Sequence, residues 1–476
     1  MTELSRNRRL LVLAICCMSL LIVGMDTTII NVALPSIRTS LNASVEGLQW
    51  TIDAYTLVLA SLLILSGSAG DRLGRRRTFQ TGLVLFTLGS LLCSVAPGLG
   101  WLIAFRMLQA IGGSMLNPVA MSIITNVFTD PKERAKAIGV WGGVVGISLG
   151  VGPVVGGLLT QTIGWRAIFW INVPIGIAAC VLAALFVPES RAPRARRLDP
   201  VGQLLAIVFL ATLTYAIING PRSGWESAAT IGLFAVALAA LVGFVLYEPR
   251  RIDPLIELRF FRSTPFSGAT VIAICAFGAF SGFLFLNTLY LQDVRGLDAL
   301  DAGLFLLPLA VGTCILAPLS GRVVASRGPR IPLLVAGIGM TLAGLSLTGL
   351  NAHTSYFALI GSFLLFAVGF GAVNAPITNT AVSGMPRSQA GVAAAVASTS
   401  RQIGASLGVA IIGSVINTGT GLRTADLAHA SHAGWWIVAG AGVAVLLTGL
   451  ATSGRRAQAS ARLTAELLQP EPAVIP

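Results

Sequence analysis

The stretch TLVLASLLILSGSAGDRLGRRRTF, residues 56–79, sets the reading of the whole chain. Ten residues without a charge run into an aspartate, four arginines and three glycines packed between positions 67 and 77. An apolar run that stops on a block of arginine is how a membrane-crossing helix ends on its cytoplasmic side. Outward from this point the same alternation recurs. Of the 476 residues, 55% are hydrophobic and only 11% are charged, against about 25% charged in an ordinary soluble domain. Hydrocarbon offers no partner to a bare N–H or C=O, so spans of this length are helices. The expected fold class is all-α, a polytopic membrane protein lodged in the lipid bilayer.

Hydropathy predicts about fourteen transmembrane helices, roughly at 10–33, 47–69, 78–97, 100–125, 135–160, 166–187, 201–219, 228–247, 266–291, 300–321, 331–350, 355–380, 389–417 and 434–453. The first begins like a secretory signal but has no small-residue cleavage site, so it reads as a retained span. With the N-terminus inside and the spans alternating, 25 of the 32 Lys and Arg fall in inside segments, five fall outside, and Arg106 and Arg401 lie within spans. That asymmetry predicts an even number of spans with both termini cytoplasmic. The net charge of +13 is thereby spent between spans rather than on one face, and no nucleic-acid partner is expected.

Three echoes run through the chain. LSGSAGDRLGRRR from 65 returns as LSGRVVASRGPR from 319, AIGGSMLNP from 110 as AVGFGAVNAP from 367, and GISLGV from 146 as GASLGV from 404. Their nearly common offset points to an internal repeat. The expected organisation is an N-terminal six-helix bundle (1–190), an inserted helix pair with flanking loops (191–264), a C-terminal six-helix bundle (265–455) and a cytoplasmic tail (456–476). Two such halves about an axis normal to the membrane are one transporter design.

Five motifs carry a family resemblance. GDRLGRRR (70–77), MDTTIINVALP (25–35), RMLQAIGGS (106–114), GVGPVVGG (150–157) and WRAIFWINVPIG (165–176) together resemble the fourteen-helix drug:proton antiporters of the major facilitator superfamily. The resemblance covers nearly the whole chain and implies a proton-coupled exporter of small amphipathic compounds working by alternating access in the cell membrane. Its partners would be a small-molecule substrate and protons. It also implies that the loop after the second span latches the cytoplasmic side, through Gly67, Gly70, Asp71, Arg72, Gly74 and Arg75. The glycines there allow a close helix approach, and the aspartate can pair with an arginine or cap a facing helix.

Two carboxylates lie clearly within spans, Asp26 and Asp53. Ionisable groups at bilayer depth are costly and mark ion paths. Both acids, with Arg106, come out roughly 8–10 Å from the outer helix ends at 1.5 Å per residue. An acid balanced between a nearby arginine and burial can trade a proton, so Asp26, Asp53 and Arg106 are the expected proton-coupling set, with Asp26 ahead because it falls in a family motif. Gln109 and Asn117 follow Arg106 on one stripe of the fourth helix, and Gln49 lies one turn before Asp53. These three, with Phe280, Phe283, Asn287, Tyr290, Asn374 and Arg401 of the second half, are the expected substrate-binding residues. Gly146, Gly150, Gly152, Pro153, Gly156 and Gly157 are expected to pack helices at the interface of the halves.

Enzymatic readings find little support. GISLG and GASLG fit a hydrolase pattern that needs a strand-turn-helix setting, and here they lie in spans. The six cysteines fall within apolar runs, and no cofactor or metal set is expected. An exporter dedicated to one endogenous metabolite or self-made antibiotic, and a passive facilitator, are the alternatives to a drug exporter.

Overall fold

The computed structural model describes residues 5–191, 199–251, 253–383, 385, 389–416 and 424–468. Helices α1 (Arg6–Leu41), α2 (Val45–Leu73), α3 (Arg75–Ser94), α4 (Leu99–Val127), α5 (Pro131–Thr162), α6 (Ala167–Trp170) and α7 (Asn172–Phe186) come first. Helices α8 (Pro200–Ser223) and α9 (Ala228–Tyr247) follow. Then come α10 (Thr264–Leu289), α11 (Ala299–Phe305), α12 (Leu307–Arg327), α13 (Arg330–Leu347), α14 (Tyr356–Val382), α15 (Ala390–Ile416), α16 (Thr424–Thr452) and α17 (Arg455–Leu468). No strand occurs among the described residues.

Local chemistry sets several of these ends. Asp130 caps α5 by accepting from the backbone N–H of Lys132 and Glu133, and Asp199 caps α8 through Gly202 N–H. Between α2 and α3 the chain turns on Gly74 at φ 113°, where a side chain would be strained and would also strike the Glu189 carboxylate.

Among the described residues, twelve helical stretches are long and apolar enough to cross a membrane. The two expected spans outside that set are α3 and α15, which carry arginine, glutamine, serine and threonine along their length. The residues expected to form a cytoplasmic tail include a helix, α17, with Ala457, Ala461, Thr464 and Leu468 buried on one side. That spacing is a helical stripe, and α17 packs on α10.

Helix pairing repeats. In the first block α1 packs on α5, α2 on α4, and α3 on α4 and α7; in the second α10 packs on α15, α12 on α14, and α13 on α14 and α16. One crossing recurs in detail. A Cβ built on Gly112 would sit 2.3 Å from Phe86 N on α3, and one built on Gly369 would sit 2.6 Å from Met340 N on α13. The GISLG and GASLG echo does not occupy matching faces. Gly150 meets Ala310 of the other block, whereas Gly408 meets Gly278 of its own. A two-residue shift turns a helix by about 200°, enough to send like sequences to opposite neighbours.

The blocks touch through α2 with α15, α5 with α11 and α12, and α1 with α10, while α8 leans on both α2 and α15. Polar bridges gather at the end far from Arg72–Arg77. Arg38 pairs with Asp293 at 2.8 Å, Gln292 donates to Val32 O at 2.8 Å, and Gln161 donates to Asp298 at 2.7 Å. Along the seam between α5 and the α11–α12 pair the gap widens steadily. The nearest neighbour of a built Cβ lies at 2.3 Å for Gly157, 2.8 Å for Gly150 and 3.5 Å for Gly146. For Gly143 and Gly139, further along the same stripe, nothing lies within 4 Å. The blocks are joined at one end and splayed at the arginine-rich end.

Candidate functional site

The centre of the first block is a closed polar network. Asp26 on α1 takes three partners from two other helices, α4 and α7: an ion pair with Arg106 Nη1, Gln109 Nε2 donating at 2.8 Å and Asn172 Nδ2 donating at 3.1 Å. Arg106 also donates to Gln109 Oε1 at 2.9 Å and to Thr51 O at 3.2 Å, and its guanidinium lies 4.2 Å from the Tyr55 ring centroid. Ser90 accepts from Gln109 and Asn172 and passes the chain on to Phe169 O. Gly89 makes this meeting possible, because any side chain there would strike the Gln109 backbone at 2.6 Å. Arg106 and Asp26 have side chains only 1% and 0% exposed, so charge neutralisation must be internal.

Asp53 stands apart from this network. It is fully buried on α2, with Thr56 and, from α15 of the other block, Ser406 beside it. Neither carboxylate oxygen has a hydrogen bond of good geometry, and the Ser406 and Thr56 hydroxyls are the polar groups that approach it. The expectation that both acids would share Arg106 is therefore met for Asp26 alone. Depth along a helix places a residue at a level; rotation about the axis decides which neighbour it faces, and Asp53 faces the seam. Gln49, one turn away, bridges the same seam by donating to Ala410 O at 3.0 Å and Val409 O at 3.3 Å.

The second block holds no comparable network. Arg401 on α15 is half-buried and bonds only neutral groups: Thr378 Oγ1 at 2.6 Å, Ser398 Oγ at 3.4 Å and Asn374 O at 3.5 Å. Its Nε is buried without a partner. Phe277 lies 5.8 Å from the guanidinium, and Phe370 joins Phe277 at 5.2 Å to Phe280 at 4.1 Å, the latter pair stacked within 5°. Phe280 and Phe370 line a narrow cleft between the blocks with Leu149, Gly150, Pro153 and Thr313. Phe283 is enclosed by Phe363, Phe366 and Trp435. Tyr290 donates to Asn351 O at 2.7 Å, and Asn287 donates to Phe283 O at 2.9 Å, so these three sit inside the block rather than along the cleft. Asn117 and Asn374 are half-buried.

At the splayed end, Asp71 pairs with Arg75 at 3.0 Å within its own loop, and Arg72 is exposed. Glu189, after α7, clasps the same loop by accepting from Arg76 N at 3.2 Å. Gly67 and Gly70 face Pro118 and Val119 of α4. On α5, Gly152 and Gly156 face Thr28 and Ile29 of α1, and Pro153 meets Gly303 across the seam. Sequence reasoning missed Asn172, Ser90 and Ser406. The signal for Asn172 was present, as the one polar residue of IFWINVPIG. Nothing in the sequence tells which way Ser90 and Ser406 point. Among the described residues no group of three His, Cys, Asp or Glu is placed to hold a metal.

Comparison with known proteins agrees with this architecture. The model of the Major Facilitator Superfamily matches residues 16–409. The chain is 36% identical over 408 residues to multidrug resistance protein Stp of Mycobacterium tuberculosis, covering 86% of this chain and 76% of that protein. It is 38% identical over 397 residues to the tetracenomycin C resistance and export protein of Streptomyces glaucescens, covering 83% and 73%. It is 32% identical over 447 residues to the methylenomycin A resistance protein of Bacillus subtilis, covering 93% and 92%. Among solved structures, a bacterial homologue of the human drug peptide transporters PepT1 and PepT2 superposes with a TM-score of 0.66 at 14% identity, covering 96% of this chain and 99% of that one. A likeness at that identity is one of fold.

Proposed function

The chain belongs to the major facilitator superfamily, and on that premise we propose that it is a proton-coupled exporter of small amphipathic compounds, working by alternating access across the cell membrane. In this reading α3 and α15 also cross, giving fourteen spans with both termini cytoplasmic. Residues 1–190 and 265–455 form the two moving halves, 191–264 the inserted pair and 456–476 the cytoplasmic tail. The splayed end then faces the cytoplasm and admits substrate.

The observation that carries the proton coupling is Asp53, enclosed at the seam with neither oxygen in a hydrogen bond of good geometry. A bare carboxylate in so dry a place costs several kcal/mol, and binding a proton removes that charge. Rocking of the blocks about the α2–α15 contact opens the site to water and releases the proton. Asp26 has the opposite character. Three donors hold it as the counter-charge of Arg106, so it fixes the first half rather than cycling. The weight therefore moves from Asp26 to Asp53. The Asp71 loop, bonded within its own half here, closes the cytoplasmic side in the alternate state.

Proteoliposomes carrying a pH gradient and a pH-sensitive dye test this. Asp53→Asn is expected to bind and exchange substrate but to lose gradient-driven accumulation. Full coupling in that variant would remove Asp53 as the carrier.

A second reading, an exporter dedicated to one compound, is favoured by relatives named for single antibiotics, tetracenomycin C and methylenomycin A. A susceptibility panel of unrelated drugs separates the two: resistance to one scaffold alone supports the dedicated form.

A further inference from the structure

The two arginines that lie within expected spans, buried Arg106 and half-buried Arg401, are treated in opposite ways. Arg106 has Asp26 as its ion-pair partner, whereas Arg401 has no carboxylate within ion-pair distance among the described residues. Nor is one waiting nearby in its own block. Among described side chains, the acids of residues 265–468 are Asp293, Asp298 and Asp301, gathered at the joined end, and Glu466 on α17. Asp293 is taken by Arg38, and Asp298 by Gln161 and the N-cap of α11. A guanidinium carries five donors that suit a carboxylate fork. Here the Nε edge is unbonded and one Nη rests on Thr378, which is exposed. From this group a chain of aromatic rings runs to the cleft between the blocks: half-buried Phe277 contacts Phe370, which is fully buried and backs Phe280, and Phe280 turns its outer face to the cleft.

We propose that Arg401, Phe277 and Phe280, the last backed by Phe370, form a binding site for a planar aromatic anion, the ring lying on Phe277 and Phe280 and the acidic group meeting the guanidinium. The proposal rests on the exporter reading and narrows it, because a cationic amphipath would meet an unneutralised positive charge at the head of these rings. An anion supplies the missing counter-charge and satisfies donors that the empty site leaves to neutral groups, and charge-assisted bonds of this kind are roughly twice as strong as neutral ones.

The test uses the full chain in detergent micelles at pH 7 and three naphthalene probes of nearly equal shape: 2-naphthoate, 2-naphthamide and 2-naphthylmethylammonium. Binding is read by calorimetry. The carboxylate is expected to bind about 10-fold or more tighter than the amide, with the ammonium weakest. Arg401→Gln is expected to bring the carboxylate down to the affinity of the amide while leaving the amide unchanged, and Arg401→Lys to keep part of the preference. Equal affinity for all three probes, a preference for the ammonium, absence of binding by any of them, or an equal loss for carboxylate and amide in Arg401→Gln would overturn the proposal. The wild-type ranking is decisive even where a variant does not fold. Gradient-driven movement of the neutral amide in everted vesicles tests the exporter reading separately. Carboxylate preference without such movement keeps the site and sinks the exporter.

Discussion

The two helical blocks share a pairing plan and differ in how they handle charge. In the first, Arg106 is answered by the Asp26 carboxylate, which also accepts from Gln109 and Asn172, and the pair is sealed from solvent. In the second, one arginine is left with neutral company beside stacked phenylalanines. A shared scaffold therefore does not carry shared chemistry. The first block holds its arginine in an ion pair, and the second holds its arginine on neutral groups alone among the described residues. Asp53 belongs to neither pattern, because its surroundings are completed only by Ser406 of the opposite block.

The sharpest way to break this contrast is to remove each arginine in turn. Arg106→Ala strands Asp26 in a dry site, and losing one partner of a buried pair typically costs about 3–5 kcal/mol. A large fall in melting temperature in detergent and loss of transport are expected. Arg401→Gln breaks no ion pair and is expected to leave the melting temperature within a few degrees of wild type. Equal destabilisation by the two would show that Arg401 has a structural counter-charge.

A second experiment asks whether the scaffold is as symmetric as the chemistry is not. Gly112→Val and Gly369→Val each push a side chain into the backbone of the crossing helix, at 2.3 Å and 2.6 Å. Overpacking of this sort costs about 1–3 kcal/mol. The two variants are expected to lose similar stability by thermal denaturation, and a clear inequality would show that one crossing is looser.

The smallest effect concerns the bridge between the blocks. Gln49→Ala deletes donation to Ala410 O and Val409 O, worth about 0.5–1.5 kcal/mol. Thermal stability should barely change, while thiol labelling of a cysteine introduced at Ser36, at the joined end, should rise several-fold. Unchanged labelling would place the closure in the Arg38–Asp293 and Gln292 contacts instead.

Much of this was legible in the sequence, and the reasons differ by residue. Asp26, Arg106 and Gln109 stand out because polar groups in apolar runs are rare and because a helix converts spacing into a common face. Their meeting with Asn172 and Ser90 was not legible, since it depends on four helices, α1, α3, α4 and α7, packing at chosen rotations. Asp53 was found as a buried acid but assigned the wrong company, for the same reason. Phe283 was expected to bind substrate alongside Phe280, yet it packs inside the block against Phe366 and Trp435. The helix α17 was hidden by its charge. Its apolar positions, every three or four residues, were the available signal.

The widening seam along α5 has one more implication. Gly139 and Gly143 lie on the stripe that meets α12 higher up, yet a methyl group added at either would meet nothing within 4 Å. A glycine inside a helix gives up about 1 kcal/mol relative to alanine, and this arrangement returns nothing for it. Under the alternating-access reading proposed above, those two missing methyl groups are the room the opposite helix needs to swing in against α5.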